Sequence, residues 1–291
     1  MDNVTNYNIG FIGTGLLGFP MAETLLKAGY SLSVYNRTKE KAEPLVEFGA
    51  RVCDTPNEVI SDAEVIITML TTYDANLDTL RPETTDFTGK TVIQMGTIKV
   101  EESVDLKNKI EAQGGEYLEA PVLGSIPNVK NKTVFTFVGG KKESYEKWKF
   151  LFENFGPKVI YFGETGKAAA VKLAFNQLIA TLTAAFSMSL GFILENEIDV
   201  DLFMETLRES ALYAPTFDKK LPRMLERNFE NPNFPVKHLL KDVHLIYEDF
   251  AKKYIDTEIL DALKYILRET LRLGDADSDY SAIYNAIHKR N

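Results

Sequence analysis

The 291-residue chain is poor in the residues that build covalent and metal-centred scaffolds: it has one cysteine, one tryptophan and three histidines. With Cys53 alone, no internal disulfide can form, which excludes a disulfide-stapled fold and suits a reducing cytoplasm, the expected location. His238 and His244 lie six residues apart, off a common helical face, and no cysteine or acidic motif joins them or His288, so no metal site is expected. No Ser-His-Asp signature stands in a strand-turn-helix setting. The net charge of −9 lacks the basic surface that would neutralise duplex phosphates, so no nucleic-acid partner is expected. Residues Met1–Asn6 have neither the charged nor the apolar region of a signal peptide. The longest apolar stretch, Leu178–Leu194, is interrupted by Thr181, Thr183, Ser187 and Ser189 and reads as too short and too polar to span a membrane. A soluble cytoplasmic protein is expected.

What is present is ordinary globular composition, 45% hydrophobic and 26% charged, at a length that favours two domains. Residues 1–162 alternate short β-branched runs with amphipathic stretches, the pattern of an α/β Rossmann domain with a doubly wound, mostly parallel sheet. Strands are predicted at Asn8–Ile12, Ser31–Tyr35, Glu64–Met69, Thr91–Met95, Thr133–Val138 and Lys158–Phe162, with shorter ones at Arg51–Cys53 and Glu116–Glu119. Thr55-Pro56-Asn57-Glu58 reads as a capping box. Lys99–Gln113 is a predicted helix ended by Gly114-Gly115. Residues 163–291 read as an all-α domain. Its first helix, Lys167–Asn196, is apolar nearly all round, which predicts burial between domains or between subunits of a homodimer or homotetramer. Further helices are expected at Asp201–Glu209, Phe217–Asn228, Val236–Tyr254, Glu258–Leu273 and Ser281–Lys289.

The segment Gly13-Thr14-Gly15-Leu16-Leu17-Gly18 follows a strand and opens a helix. In Gly-x-Gly-x-x-Gly, the first glycine makes the tight turn, the second admits a pyrophosphate to the backbone, and the third lets helix and strand pack closely. The free N–H groups and dipole of the helix start favour the anion. The second strand ends in Asn36-Arg37-Thr38, where an NAD site usually carries an acidic ribose reader. Asn36 removes that repulsion and Arg37 offers a planar guanidinium suited to a 2′-phosphate, so NADP(H) is expected over NAD(H). The plainer alternative is that Arg37 is a solvated charge and Thr38 a helix cap.

Residues 10–22, Met95-Gly96-Thr97-Ile98, Glu119-Ala120-Pro121-Val122-Leu123-Gly124-Ser125, Gly166 with Lys172 and Asn176, and Lys241-Asp242 form an ordered set that runs through nearly the whole chain. On that set the chain resembles the β-hydroxyacid dehydrogenases, which include 3-hydroxyisobutyrate dehydrogenases and glyoxylate and succinic semialdehyde reductases. The resemblance implies that Lys172 is the catalytic acid/base and that Asn176, four residues on, bonds substrate or holds the ammonium. From below, lysine suits the part: an alkoxide that develops on a reduced carbonyl needs a proton or a positive neighbour. The competing reading of Lys172 is a lysine snorkelling to solvent. The resemblance also implies cofactor contacts at Leu70, Thr71, Thr97 and Lys241, with Thr97 beside the nicotinamide and the substrate. It places substrate binding at positions 123–125, where this chain departs from the family: Leu123 stands where a serine is usual, while Gly124 and Ser125 remain. An apolar branch cannot donate to a carboxylate, although Ser125 or backbone N–H groups offer replacements.

The expectation is therefore an NADP(H)-dependent oxidoreductase of a small-molecule aldehyde, semialdehyde, 2-oxo acid or matching hydroxy acid. An imine reductase-like enzyme is the neighbouring reading, less suited because those enzymes typically carry another residue at the Lys172 position. The 6-phosphogluconate dehydrogenases need a longer helical region. A catalytically silent NADP-binding sensor is disfavoured by Lys172 and Asn176.

Overall fold

The computed structural model describes residues 7–289; the opening segment Met1–Asn6 lies outside them. The described residues form two compact units that divide between Leu173 and Ala174. The first unit alternates strands and helices: β1 (Asn8–Ile12), α1 (Gly18–Lys27), β2 (Ser31–Tyr35), β3 (Arg51–Val52), α2 (Pro56–Asp62), β4 (Val65–Thr68), α3 (Tyr73–Leu80) and β5 (Thr91–Gln94). It continues with α4 (Val100–Ala112), β6 (Glu116–Glu119), β7 (Val122–Leu123), α5 (Ile126–Lys130), β8 (Phe135–Gly140), α6 (Lys142–Glu153), β9 (Lys158–Gly163) and the start of α7 (Lys167–Glu195).

The first six strands run parallel in the order β3-β2-β1-β4-β5-β6. That is the doubly wound dinucleotide-binding order, with ligands expected at the carboxyl ends of the strands. The two-residue period of the strands decides which core each side chain joins. Ile9, Phe11, Val65, Ile67, Ile93 and Leu118 pack with α1, α5 and α6 on one face, including Leu25, Val129 and Trp148. Ile12, Ile66, Val92 and Tyr117 pack with α2, α3 and α4 on the other, including Val59, Leu80 and Leu106. The Trp148 indole N–H donates to Thr91 Oγ1 at 2.9 Å, so its one polar atom is satisfied in the core.

Past β6 the sheet changes sense. Strand β8 runs antiparallel to β6 and β7, and β9 runs parallel to β8. The predicted strands are all present, with ends shifted by a residue or two, whereas β7 has no counterpart in the sequence reading: it is a two-residue strand just after Pro121. One half of the capping box forms, with the Glu58 N–H donating to Thr55 Oγ1 and Pro56 opening α2, while the Glu58 carboxylate accepts from the Thr55 hydroxyl. Helix α4 stops where Gly114 takes a φ of 78°.

The second unit holds the rest of α7 with α8 (Val200–Glu209), α9 (Pro215–Glu226), α10 (Val236–Lys252), α11 (Glu258–Arg272) and α12 (Ile283–Ile287). The last helix is shorter than expected, because Tyr280–Ala282 forms a 3-10 turn capped by Asp279. Phe186 of α7 stacks on Phe217 of α9 with ring centroids 4.6 Å apart. The expectation that Leu178–Leu194 is too short and polar to cross a membrane needs correcting. At 29 residues, α7 meets the length and apolarity of a span, because an unbroken helix carries its Thr and Ser hydroxyls on its own carbonyls. Within the single chain 39% of its apolar window is buried.

Candidate active site

The glycine loop is built as its spacing requires. Gly13 has a φ of 99°, and a Cβ there would meet the Met69 carbonyl oxygen at 2.5 Å. A Cβ on Gly18 would lie 1.9 Å from the Gly13 carbonyl oxygen, so only glycine lets α1 start this close to the turn. At Gly15 a Cβ would meet nothing within 4 Å, which leaves an open cradle over the backbone beside the half-buried Leu17 and the exposed Leu16. Thr14 is buried, and its Oγ1 has no partner among the described residues. An open cradle with an orphaned hydroxyl at a helix start fits a pyrophosphate.

The end of β2 is tied to this loop. Asn36 Oδ1 accepts from the Thr14 N–H at 3.1 Å, and its Nδ2 donates to the Thr38 carbonyl at 2.8 Å. The Asn36 amide is thus a clamp between loop and strand end. Thr38 makes no side-chain cap to the turn that follows, and Arg37 is exposed. On the neighbouring strands, Leu70 closes the loop region from below. Its side chain lies 3.0 Å from where a Gly13 Cβ would stand, and its carbonyl oxygen 2.2 Å from a Cβ on Gly96. Thr71 is exposed beyond it, and Thr97 is half-buried after β5. Gln94, which ends β5, has an Nε2 without a partner among the described residues. Sequence reasoning passed over it because strand position alone does not show an unsatisfied donor.

The segment after β6 holds residues 123–125, the positions expected to bind substrate. Leu123 pairs with Phe135 across β7 and β8 and is half-buried. Gly124 is exposed, and Ser125 starts α5, its hydroxyl donating to Asn128 Oδ1 at 2.9 Å. In this rotamer Ser125 acts as a cap and has no O–H left to donate to a carboxylate.

In the helical unit, Asn176 is buried and its Nδ2 donates to Asp242 Oδ2 at 2.6 Å. The Lys241 ammonium lies 2.6 Å from Asp242 Oδ1, an ion pair by distance without hydrogen-bond alignment. Asp242 therefore joins two residues of the motif set that the sequence left unconnected, and Asn176 Oδ1 keeps no partner among the described residues. No role was assigned to Asp242 from sequence, although an acid next to Lys241 in an amphipathic helix was the available signal. Lys172 is half-buried, four residues before Asn176 on the continuous helix α7. Burial holds His238 and His244 below the ordinary imidazole value, which leaves them neutral at pH 7. Among the described residues no three His, Cys, Asp or Glu side chains are grouped as metal ligands.

A glycine cradle at the carboxyl end of a parallel sheet in this order defines a dinucleotide-binding oxidoreductase architecture. Residues 8–163 match the NAD binding domain of 6-phosphogluconate dehydrogenase, and residues 166–287 match the NAD-binding segment of NADP-dependent 3-hydroxyisobutyrate dehydrogenase. The chain belongs to the β-hydroxyacid dehydrogenase family and is an NAD(P)-dependent oxidoreductase acting on a CH–OH group. It is 30% identical to glyoxylate/succinic semialdehyde reductase 2, chloroplastic, of Arabidopsis thaliana, over 98% of this chain and 81% of that one. It is likewise 30% identical to glyoxylate/succinic semialdehyde reductase 1 of the same plant, over 96% and 98%. Mycobacterium tuberculosis 3-hydroxyisobutyrate dehydrogenase, solved with L-serine, shares the fold at a TM-score of 0.86 and 21% identity, covering 97% of this chain and 99% of that one.

Proposed function

We propose that this enzyme reduces a small aldehyde, semialdehyde or 2-oxo acid, or oxidises the matching hydroxy acid, with NADP(H) preferred over NAD(H). The observation that carries the reading is Asn176. Its amide N–H is held by the buried Asp242, while its Oδ1, one turn after Lys172, stays without a partner among the described residues. A buried acceptor with nothing to accept from costs about 1–3 kcal/mol, a cost that a substrate hydroxyl or an ammonium group would remove.

Gly13, Thr14, Gly15, Leu16, Leu17 and Gly18 would hold the cofactor pyrophosphate, and Arg37 the 2′-phosphate, with Leu70, Thr71, Thr97 and Lys241 as further contacts. When bound, the cofactor supplies or accepts the hydride. Lys172 gives a proton to the carbonyl oxygen as negative charge develops there, and takes it back from the hydroxyl in the reverse direction. Its position among Ala168, Ala169, Ala170 and Val171 gives the stem apolar company and leaves room for a ligand. Thr97, Leu123, Gly124 and Ser125 would contact the substrate. Two relatives named for glyoxylate and succinic semialdehyde support a small anionic carbonyl compound, and Leu123 favours one whose carboxylate lies away from the reacting carbon.

Two further parts of the reading concern setting and assembly. The lone cysteine, free and buried, accords with a cytoplasmic setting. The apolar residues that α7 leaves exposed support a homodimer or homotetramer through the helical domain.

The test is NADPH oxidation across glyoxylate, succinic semialdehyde, neutral aldehydes and cyclic imines, for wild type and Lys172→Ala. We expect turnover on one of the acids or aldehydes and a fall of at least ~10²-fold in the variant, the scale of general acid–base catalysis, with NADPH affinity unchanged. Near-normal turnover in Lys172→Ala would remove the lysine from the mechanism.

A further inference from the structure

Glu119 ends β6, where the proposed substrate loop 120–125 begins, and it is fully buried. Its Oε1 accepts from three backbone N–H groups at the start of α7: Gly166 at 2.8 Å, Ala168 at 2.7 Å and Ala169 at 3.2 Å. Its Oε2 accepts from the Ser103 hydroxyl of α4 at 2.5 Å, and that hydroxyl also meets the Tyr117 hydroxyl at 2.9 Å. A helix start normally takes its acceptor from a Ser, Thr, Asp or Asn at the cap position. Here the residue before α7 is Gly166, which has no side chain to offer, and a carboxylate from the sheet takes the place of the cap.

The site is built for this acid. Gly139 lies opposite Glu119 in the β6–β8 ladder, and a Cβ there would stand 2.4 Å from Oε1. The burial is costly: it pushes the Glu119 carboxyl above the ordinary carboxylate range, against the downward pull of Ser103 and the α7 amides. Position 166 cannot supply a cap of its own: it is buried, its φ of 98° favours glycine, and a Cβ there would stand 3.1 Å from the Val100 side chain. The arrangement gains something a local cap cannot, a rigid link between one strand end and one helix start.

We propose that Glu119 is the positioning residue of the reaction, fixing Lys172 by capping α7 from the strand end that launches the substrate loop. Lys172 lies about one and a half turns into the helix, so a helix start that frays or slides moves the ammonium directly. The inference rests on Lys172 as the proton-transfer residue. It goes further by assigning a part to Glu119, a residue of the first unit that need not touch substrate or cofactor.

The experiment compares wild type, Glu119→Ala, Glu119→Gln, Lys172→Ala and the Glu119→Ala/Lys172→Ala double variant on the best carbonyl substrate. Readouts are kcat, both KM values, NADPH Kd and the melting curve. Glutamine can turn its oxygen to the α7 amides and its nitrogen to Ser103, so it should keep kcat within about threefold. Alanine should lower kcat by about tenfold or more, since misplacement by an ångström is enough to cost that, while NADPH Kd stays within about twofold. In the Lys172→Ala background, Glu119→Ala should cost nothing further, because it acts through the lysine. A folded Glu119→Ala with wild-type kcat overturns the proposal, as does an equal loss in both backgrounds. Should alanine fail to fold, Glu119→Asp falls one methylene short of the amides and must show the same loss; wild-type kcat there overturns it too. Failure of the lysine reading itself is separate and visible in Lys172→Ala alone: turnover retained there removes both.

Discussion

Asn176 and Asp242, 66 residues apart, are joined by a 2.6 Å hydrogen bond in the interior of the helical unit. The carboxylate fixes which end of the amide is the donor and leaves Oδ1 turned away from it. Asp242→Ala frees that amide to rotate and removes the Lys241–Asp242 ion pair. A hydrogen bond to a charged group is worth about 1.5–3 kcal/mol, so kcat/KM for the carbonyl substrate should fall roughly ten- to 150-fold. Steady-state kinetics on the purified variant check this, and an unchanged kcat/KM would show that the pair is structural only.

Arg37 stands exposed at the end of β2, beside an Asn36 amide that is already committed on both sides. With Asn36 occupied, discrimination of a 2′-phosphate would fall to the guanidinium in the proposed reading. NADPH should bind much more tightly than NADH, and Arg37→Ala should erase most of that difference, roughly ten- to a hundredfold. Fluorescence titration of both cofactors decides it: equal wild-type affinities would end the assignment.

Leu123 is half-buried at a position where the family offers a hydroxyl, and Ser125 spends its own hydroxyl on Asn128. Leu123→Ser should therefore improve kcat/KM for glyoxylate relative to a neutral aldehyde of similar size, by about tenfold if one hydrogen bond is restored. A wild type that already prefers the acid, with no change in the variant, would mean that position 123 does not read the head group.

The helical unit also holds a buried ion pair, Lys220 with Asp279 at 2.7 Å, with the ammonium 4.0 Å from the Tyr280 ring centroid. Burial by itself would raise the Asp279 carboxyl, yet Lys220 and Ser281 hold it below the ordinary value. A carboxyl lowered on folding adds stability that is complete above its unfolded value of about 4 and is lost as pH falls through the lowered one. Lys220→Met leaves the carboxylate buried and unpaired, so urea unfolding at pH 7 should show a loss of about 3–5 kcal/mol. The loss should shrink as the acid limb is entered. A variant as stable as wild type would show the pair to be dispensable.

Helix α7 exposes Leu178 by 50%, Met188 by 62% and Phe192 by 69%. If a second copy covers them, light scattering at micromolar concentration should report a dimer or tetramer, and Met188→Glu with Phe192→Glu should shift it towards monomer. A wild type that is monomeric under those conditions contradicts the proposed assembly.

Much of this protein is legible along the chain because its signals are local. A continuous apolar run suffices for β4, which is buried on both faces, and alternation suffices for β2, where Leu32 and Val34 are buried between more exposed neighbours. Three glycines after a strand suffice for the cradle, because backbone space at a turn depends on neighbours a few residues away. Lys172 and Asn176 are four residues apart, so helix geometry alone relates them. Other features depend on residues brought from far along the chain. The two-residue strand β7 exists because β8 lies beside it, and so short a segment has no period of its own. Whether α7 is covered depends on what packs around it, which a count of apolar residues does not contain. The partners of Glu119 at α7 lie 47 to 50 residues away and those of Asn176 lie 66 away. A buried carboxylate is stable only where several donors converge on it, and that convergence is decided by tertiary packing.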